Sequence, residues 1–187
     1  ATKLRSEDIV YAAAARTKLK AFVLRPAVVW GPGDDFSRNL AGAILHAPIF
    51  PTPVPAGVLA VVHVEDVAAA VVAAASELFV ELQRTQTDTD AGSVRSCDVC
   101  GPEPLTLVEL VSRTAAALGL GCVAMPVPGV LMVPAAHAVE RLMADPPITS
   151  AQLGLLRRGV VGDFAQTKAL LHGRAPREYT IDDCRQA

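Results

Sequence analysis

A chain of 187 residues that is 51% hydrophobic and 19% charged has the size and composition of a globular domain with a substantial core; its 4% aromatic share leaves that core to Ala, Val and Leu. A formal net charge of −2 with no basic stripe argues against a nucleic-acid partner. No run of about 18 uncharged, proline-free apolar residues occurs, so no transmembrane helix is expected.

In chain order, residues 2–16 carry helical pattern, with Glu7 and Asp8 early and a run of alanines at 12–15 that suits close packing. Residues 21–30 form a dense β-branched run bounded by Gly31-Pro32-Gly33, which predicts a buried parallel strand. Pro26 has no amide to donate, so the strand should end or bulge there. A helix is expected over 34–46, opened by Asp34 and Asp35, then a proline-rich loop over 48–57, a second strand over 58–64 and an Ala/Val-rich helix over 66–83. Residues 85–93 read as a polar loop and 96–99 as a short strand. The pair Thr106 and Glu109 predicts a capping box opening a helix over 106–118 that stops at Gly119. A strand over 123–127 and a helix over 130–143 follow, although Pro126, Pro128 and Pro134 interrupt this most apolar stretch. Thr149 and Gln152 form a second capping-box signature, and residues 163–187 read as two short helical pieces around Gly173. The alternation of helix and strand predicts an α/β fold with a Rossmann-like parallel sheet over residues 1–121, followed by a small, mostly helical C-terminal cap over 122–187.

The chemistry-bearing side chains are sparse. Cys97 and Cys100 form a CxxC, but Cys122 and Cys184 do not complete a zinc set, and a CxxC at a strand end rather than a helix start argues for buried thiols in a reducing compartment. His46, His137 and His172 lack metal-ligand spacing, so no metal site is expected. His63 is expected to be a buried, hydrogen-bonded histidine rather than a general base, and Asp66 a cap for the helix after it. Ser6, Ser37 and Ser112 lack a nucleophile-elbow context.

Three segments in order resemble the extended and atypical short-chain dehydrogenases: Leu24-Arg25-Pro26-Ala27-Val28-Val29-Trp30-Gly31-Pro32, Val62-His63-Val64-Glu65-Asp66-Val67-Ala68, and Gly101-Pro102-Glu103-Pro104-Leu105-Thr106. Two more are similar to signatures of one subfamily, that of the nucleotide-binding accessory subunit of mitochondrial complex I and its bacterial relatives. Gly31-Pro32-Gly33-Asp34-Asp35-Phe36 with Asn39 resembles Gly-x-x-Asp-x-Phe-x-Asn with the asparagine one position late, and Pro147 to Leu153 resembles Pro-x-Thr-x-x-Gln.

The resemblance implies an NADP(H) site (NADPH, or NADP or NAD) at which Lys3 contacts the nicotinamide ribose and Pro26, Ala27, Val28 and Val29 pass the nicotinamide. In that family a Tyr-x-x-x-Lys pair places both side chains on one helical face, and the ammonium lowers the pKa of the phenol. Counting back four from Lys3 leaves no tyrosine, and no Gly-x-x-Gly-x-x-Gly turn occurs. The expectation is therefore that the phosphate-gripping half lies on a companion chain or segment. A bare half-sheet would expose an edge and an apolar face, so a lone monomer should not be stable.

By resemblance, the first functional expectation is a non-catalytic accessory subunit of the respiratory NADH:ubiquinone oxidoreductase. It would contribute to assembly and stability among the other complex I subunits, on the matrix side of the mitochondrial inner membrane. The second is an NAD(P)-dependent epimerase, dehydratase or reductase acting on a sugar nucleotide or similar small molecule. The third is an interaction module that has lost nucleotide binding.

Overall fold

The computed structural model describes residues 2–84, 92–143 and 149–180. The elements run α1 (Thr2–Arg16), β1 (Lys20–Pro26), β2 (Val28–Trp30), α2 (Asp35–His46), β3 (Ile49–Val54), β4 (Val58–His63), α3 (Val64–Arg84), β5 (Ser93–Val99), β6 (Pro104–Thr106), α4 (Leu107–Ala117), β7 (Val123–Pro128), α5 (Gly129–Leu142), α6 (Ser150–Arg158) and α7 (Phe164–Leu170). This is the α/β fold with parallel strands that the alternation predicts.

Pro26 divides the first apolar run as expected. β1 pairs in parallel with β5, Lys20 opposite Ser93 through Pro26 opposite Val99. Beyond the break, β2 pairs in parallel with β4, and β4 pairs antiparallel with β6. The amides of Ala27 and Gly101 donate to Val99 O and Val61 O, both at 2.9 Å, and so hold the two strand pairs together.

Side-chain alternation along these strands separates two cores. Trp30, Leu59 and Val61 face one core with Leu40 of α2 and Leu110 of α4. Val62, Cys97 and Val99 face the other, with Phe22, Leu24 and Val29 packed against it. Ala70 and Ala74 of α3 are buried there, where their small side chains let the helix approach the sheet, and Leu170 of α7 joins them.

Three expectations need correction. Residues 48–57 are not simply a loop: β3 pairs in parallel with β7 over all six residues of each. The prolines are tolerated because of their parity. Val123 N donates to Pro48 O, so the shared ladder uses odd residues of β7 and even residues of β3. Pro51, Pro53, Pro126 and Pro128 all have the opposite parity, and their missing donors face the outer edges. Among the described residues the tail holds one helix, α7, capped by Asp163; residues 174–180 have no regular structure, and 181–187 fall outside the described residues. β5 starts at Ser93, three residues earlier than expected, because its partner β1 continues there; the expected polar loop lies mostly outside the described residues.

The two capping boxes form as expected. Thr106 Oγ1 accepts from Glu109 N at 3.2 Å while Glu109 Oε2 accepts from Thr106 N at 2.7 Å. Thr149 Oγ1 accepts from Gln152 N at 3.1 Å and Gln152 Oε1 accepts from Thr149 N at 2.8 Å.

Candidate functional site

In open parallel α/β sheets ligands gather at the carboxyl ends of the strands. Here β1 reaches its carboxyl end at Pro26, and Ala27, Val28 and Val29 carry the chain on into β2. The Ser93 and Ala27 amides donate to Leu19 O and Val99 O, so the β1–β5 ladder uses odd residues of β1. Phe22 and Leu24 therefore present their backbone N–H and C=O groups to the opposite edge, where β1 has no paired strand among the described residues. Pro26 closes that edge with a residue that has no donor.

α1 runs back along β1, and a forked ion pair fixes its position. Arg25 Nε donates to both Glu7 oxygens, at 3.1 and 3.0 Å, and Nη2 donates to Oε2 at 2.6 Å. The hydrogen bonds from Arg25 hold the Glu7 carboxyl below the usual glutamate range, and Glu7 in turn raises Arg25. Lys3 stands one turn before Glu7 on the same helical face, exposed, and so on the side of α1 that Arg25 meets. Pro26 is exposed, while Ala27, Val28 and Val29 are half-buried. Val28 forms part of a cavity wall, and Val29 packs against the other core.

The turn after β2 is built by Asp34. Its Oδ2 accepts from Gly31 N at 3.0 Å and its Oδ1 from Ser37 N at 2.7 Å, so one carboxylate closes the Gly31-Pro32-Gly33 turn and caps α2. Gly31 is required by contact: a Cβ there would lie 2.6 Å from Val64 Cγ1. His63 is buried, with Nδ1 accepting from Glu65 N at 3.3 Å and its ring edge-on to Trp30 at 4.6 Å between centroids. Tyr179 packs on another side of Trp30 at 5.1 Å.

Asp66 does not cap its own helix as expected, because α3 already begins at Val64. Fully buried, it accepts from Arg177 N at 2.7 Å, and Arg177 also pairs with Glu65, so the C-terminal segment is strapped across the start of α3. Cys97 and Cys100 are buried and free, and burial pushes both thiols up, away from the reactive thiolate form.

A cavity of about 330 Å³ lies between α2, β3 and α6, with Met132 of α5 reaching it. Its interior is formed by side chains such as Leu40, Ile49, Phe50, Leu59, Leu107 and Leu156. The polar side chains on its wall are Asn39 and Gln152, both exposed. Sequence reasoning singled out these two amides as the last letters of two separate signatures, and Gln152 also as the partner of Thr149 in a capping box. Their convergence depends on the fold, since they stand on α2 and α6, and the one shared feature legible beforehand was that each signature ends in an amide.

No protein-family model matches the chain, and no curated protein matches it. Solved structures do. The structure named gox2253 aligns with 97% of this chain at 20% identity and a TM-score of 0.63, and 53% of its own length is covered. MoeE5 in complex with UDP-glucuronic acid and NAD aligns with 99% at 22% identity and 0.60, with 54% of its length covered. UDP-glucuronic acid 4-epimerase from Bacillus cereus, in complex with UDP-glucuronic acid and NAD, aligns with 99% at 14% identity and 0.60, with 49% covered. The chain thus spans about half the length of these structures. At such identities the likeness is one of fold, and that fold is Rossmann-like α/β.

Proposed function

We propose that this chain forms the nicotinamide- and substrate-facing half of an NAD(P)-dependent epimerase, dehydratase or reductase, completed by a segment that pairs with β1. The observation that carries this reading is the edge of β1 at Phe22 and Leu24, unpaired among the described residues, which ends at Pro26 where parallel strands of a dinucleotide-binding fold present their carboxyl ends. Two solved structures of this fold carry NAD with a UDP-sugar in their names, which favours turnover chemistry over a purely structural role. α1, packed on β1 and β5, leaves Leu4 68% and Ile9 63% exposed, as expected of a face that another element covers.

The residues fit one end of a dinucleotide. The donor-free backbone at Pro26 and the half-buried Ala27, Val28 and Val29 offer a flat apolar surface for a nicotinamide ring, and Lys3 supplies an ammonium for ribose hydroxyls. Nothing in the sequence offers the glycine turn that grips pyrophosphate. When bound, NAD(P) supplies hydride transfer. The part of this chain is to hold the ring along the backbone from Pro26 to Val29 and to carry the substrate.

A second reading keeps the nucleotide structural and makes the chain an accessory subunit of respiratory complex I, on the matrix side of the mitochondrial inner membrane. Its support is that Asn39 and Gln152, from the two signatures that resemble that subfamily, share one cavity.

The test is purification of the native assembly through a tag on this chain, with mass identification of companion chains and released nucleotide, followed by assay for turnover. Leu24→Pro removes an outward amide while leaving the β1–β5 ladder its donors, so it should lose companion and nucleotide; Leu24→Ala, which loses side-chain packing alone, should keep both. Recovery without NAD(P) would refute both readings. Recovery with respiratory-chain subunits and bound nucleotide, but no turnover, would overturn the first and favour the second.

A further inference from the structure

We infer that the cavity between α2, β3 and α6 binds an uncharged amphiphile, an aliphatic or alicyclic body with one hydroxyl or carbonyl end, rather than a nucleotide sugar. This deepens the proposed function by naming the substrate class, and it rests on that reading only for the claim that the occupant is turned over.

The chemistry of the lining points this way. A nucleotide sugar carries a diphosphate, and a site for it needs cations or clustered amide donors, because an unpaired anion against apolar walls is strongly disfavoured. No Lys, Arg or His lines this cavity among the described residues. Arg157, the residue after Leu156 on α6, is turned away: it lies against Gly129, where a Cβ would come within 2.7 Å of its Nε. The walls are instead Phe36, Leu40, Phe50, Leu59, Leu107 and Met132, the last a flexible side chain that adapts to irregular apolar shapes.

Polarity is placed at one end only. Asn39 and Gln152 are the polar residues of the wall, and both are exposed, so they mark a rim. Gln152 Oε1 is committed to the Thr149 amide, which fixes the side chain and leaves its NH₂ group as a donor. A hydroxyl or carbonyl at the rim would find a donor there and a donor or acceptor on Asn39, while its apolar body displaces water from the interior. Val28 belongs both to this wall and to the strand proposed to pass the nicotinamide, so an occupant of the cavity would lie beside that strand.

The test titrates the native assembly, purified through a tag on this chain, with 1-decanol and separately with UDP-glucose, using calorimetry and the fluorescence of Trp30. Trp30 is the single tryptophan, and it shares the core cluster with Leu40, Leu59 and Leu107 of the wall. Saturable decanol binding is expected, with no binding of UDP-glucose. Ala43→Phe, on an exposed position of α2 facing the cavity, should weaken decanol by about tenfold or more. Ala43→Ser, of similar size, should change it by less than about threefold and serves as the folding control. UDP-glucose binding that Ala43→Phe abolishes, or decanol binding that Ala43→Phe leaves unchanged, would overturn the inference. Decanol bound by an assembly that holds no NAD(P) would support the cavity assignment while refuting the proposed function. NAD(P) held by an assembly that binds UDP-glucose but not decanol would do the reverse.

Discussion

Replacing Thr167 with valine tests how α7 is fastened to the sheet. Thr167 is fully buried; its Oγ1 donates to Asp98 O at 2.9 Å and accepts from Cys100 N at 3.0 Å, so one hydroxyl serves two backbone groups at the carboxyl end of β5. Valine has nearly the same shape, so no cavity opens and the change is one of hydrogen bonding. The buried Cys100 amide would lose its acceptor, which costs about 1–3 kcal/mol. Asp98 O keeps a weak donor in Cys97 Sγ at 3.2 Å, so its share is smaller, about 0.5–1 kcal/mol. The expected total is about 1.5–4 kcal/mol. Thr167→Ser keeps both bonds and loses only a methyl group, at about 1 kcal/mol. Urea unfolding followed through Trp30 should show the valine midpoint lower by about 1 M at unchanged slope, given a slope of about 2–3 kcal/mol/M. A valine variant within about 0.5 kcal/mol of the parent, or a serine variant as damaged as valine, would refute the account.

The Asp34 turn gives a second test. Asp34→Ala removes both the α2 cap and the acceptor for Gly31 N, and should cost about 1–2 kcal/mol by urea unfolding, with Asp34→Asn recovering most of it. Gly31→Ala should cost about 1–3 kcal/mol through overpacking on Val64, and the double variant Gly31→Ala with Val64→Ala should relieve part of that. Acid should weaken the fold in a defined window. Glu7 and Glu103 are held below the ordinary value of 4.5 by hydrogen bonds from Arg25 and Arg113, and Glu109 by the Thr106 amide. Because the folded values are depressed, the stability these carboxylates contribute is present above the unfolded value and is lost as pH falls through the folded values. The urea midpoint should therefore decline between roughly pH 5 and 3. Arg113→Gln should flatten part of that decline, and an unchanged pH profile would count against the pairing.

What the sequence determined by itself was local. The caps at Asp34, Thr106 and Thr149 depend on residues three apart, and the division of the first apolar run follows from one missing amide at Pro26; such signals are complete within a single turn or strand. Tertiary structure decided the rest. Pro51 and Pro53 read as loop signals because proline cannot donate to a ladder, and Pro126 and Pro128 as interruptions of an apolar stretch, yet all four belong to β3 and β7 because pairing across more than 70 positions turns every missing donor outward. Asp66 had the composition of a cap but became the anchor for an amide 111 positions away. Asn39 and Gln152 were legible as members of separate motifs, and packing of α2 and α6 around β3 placed them on one apolar cavity. Hydrogen bonds within a turn are set by neighbours along the chain, whereas pairing parity and cavity walls are set by which distant surfaces meet.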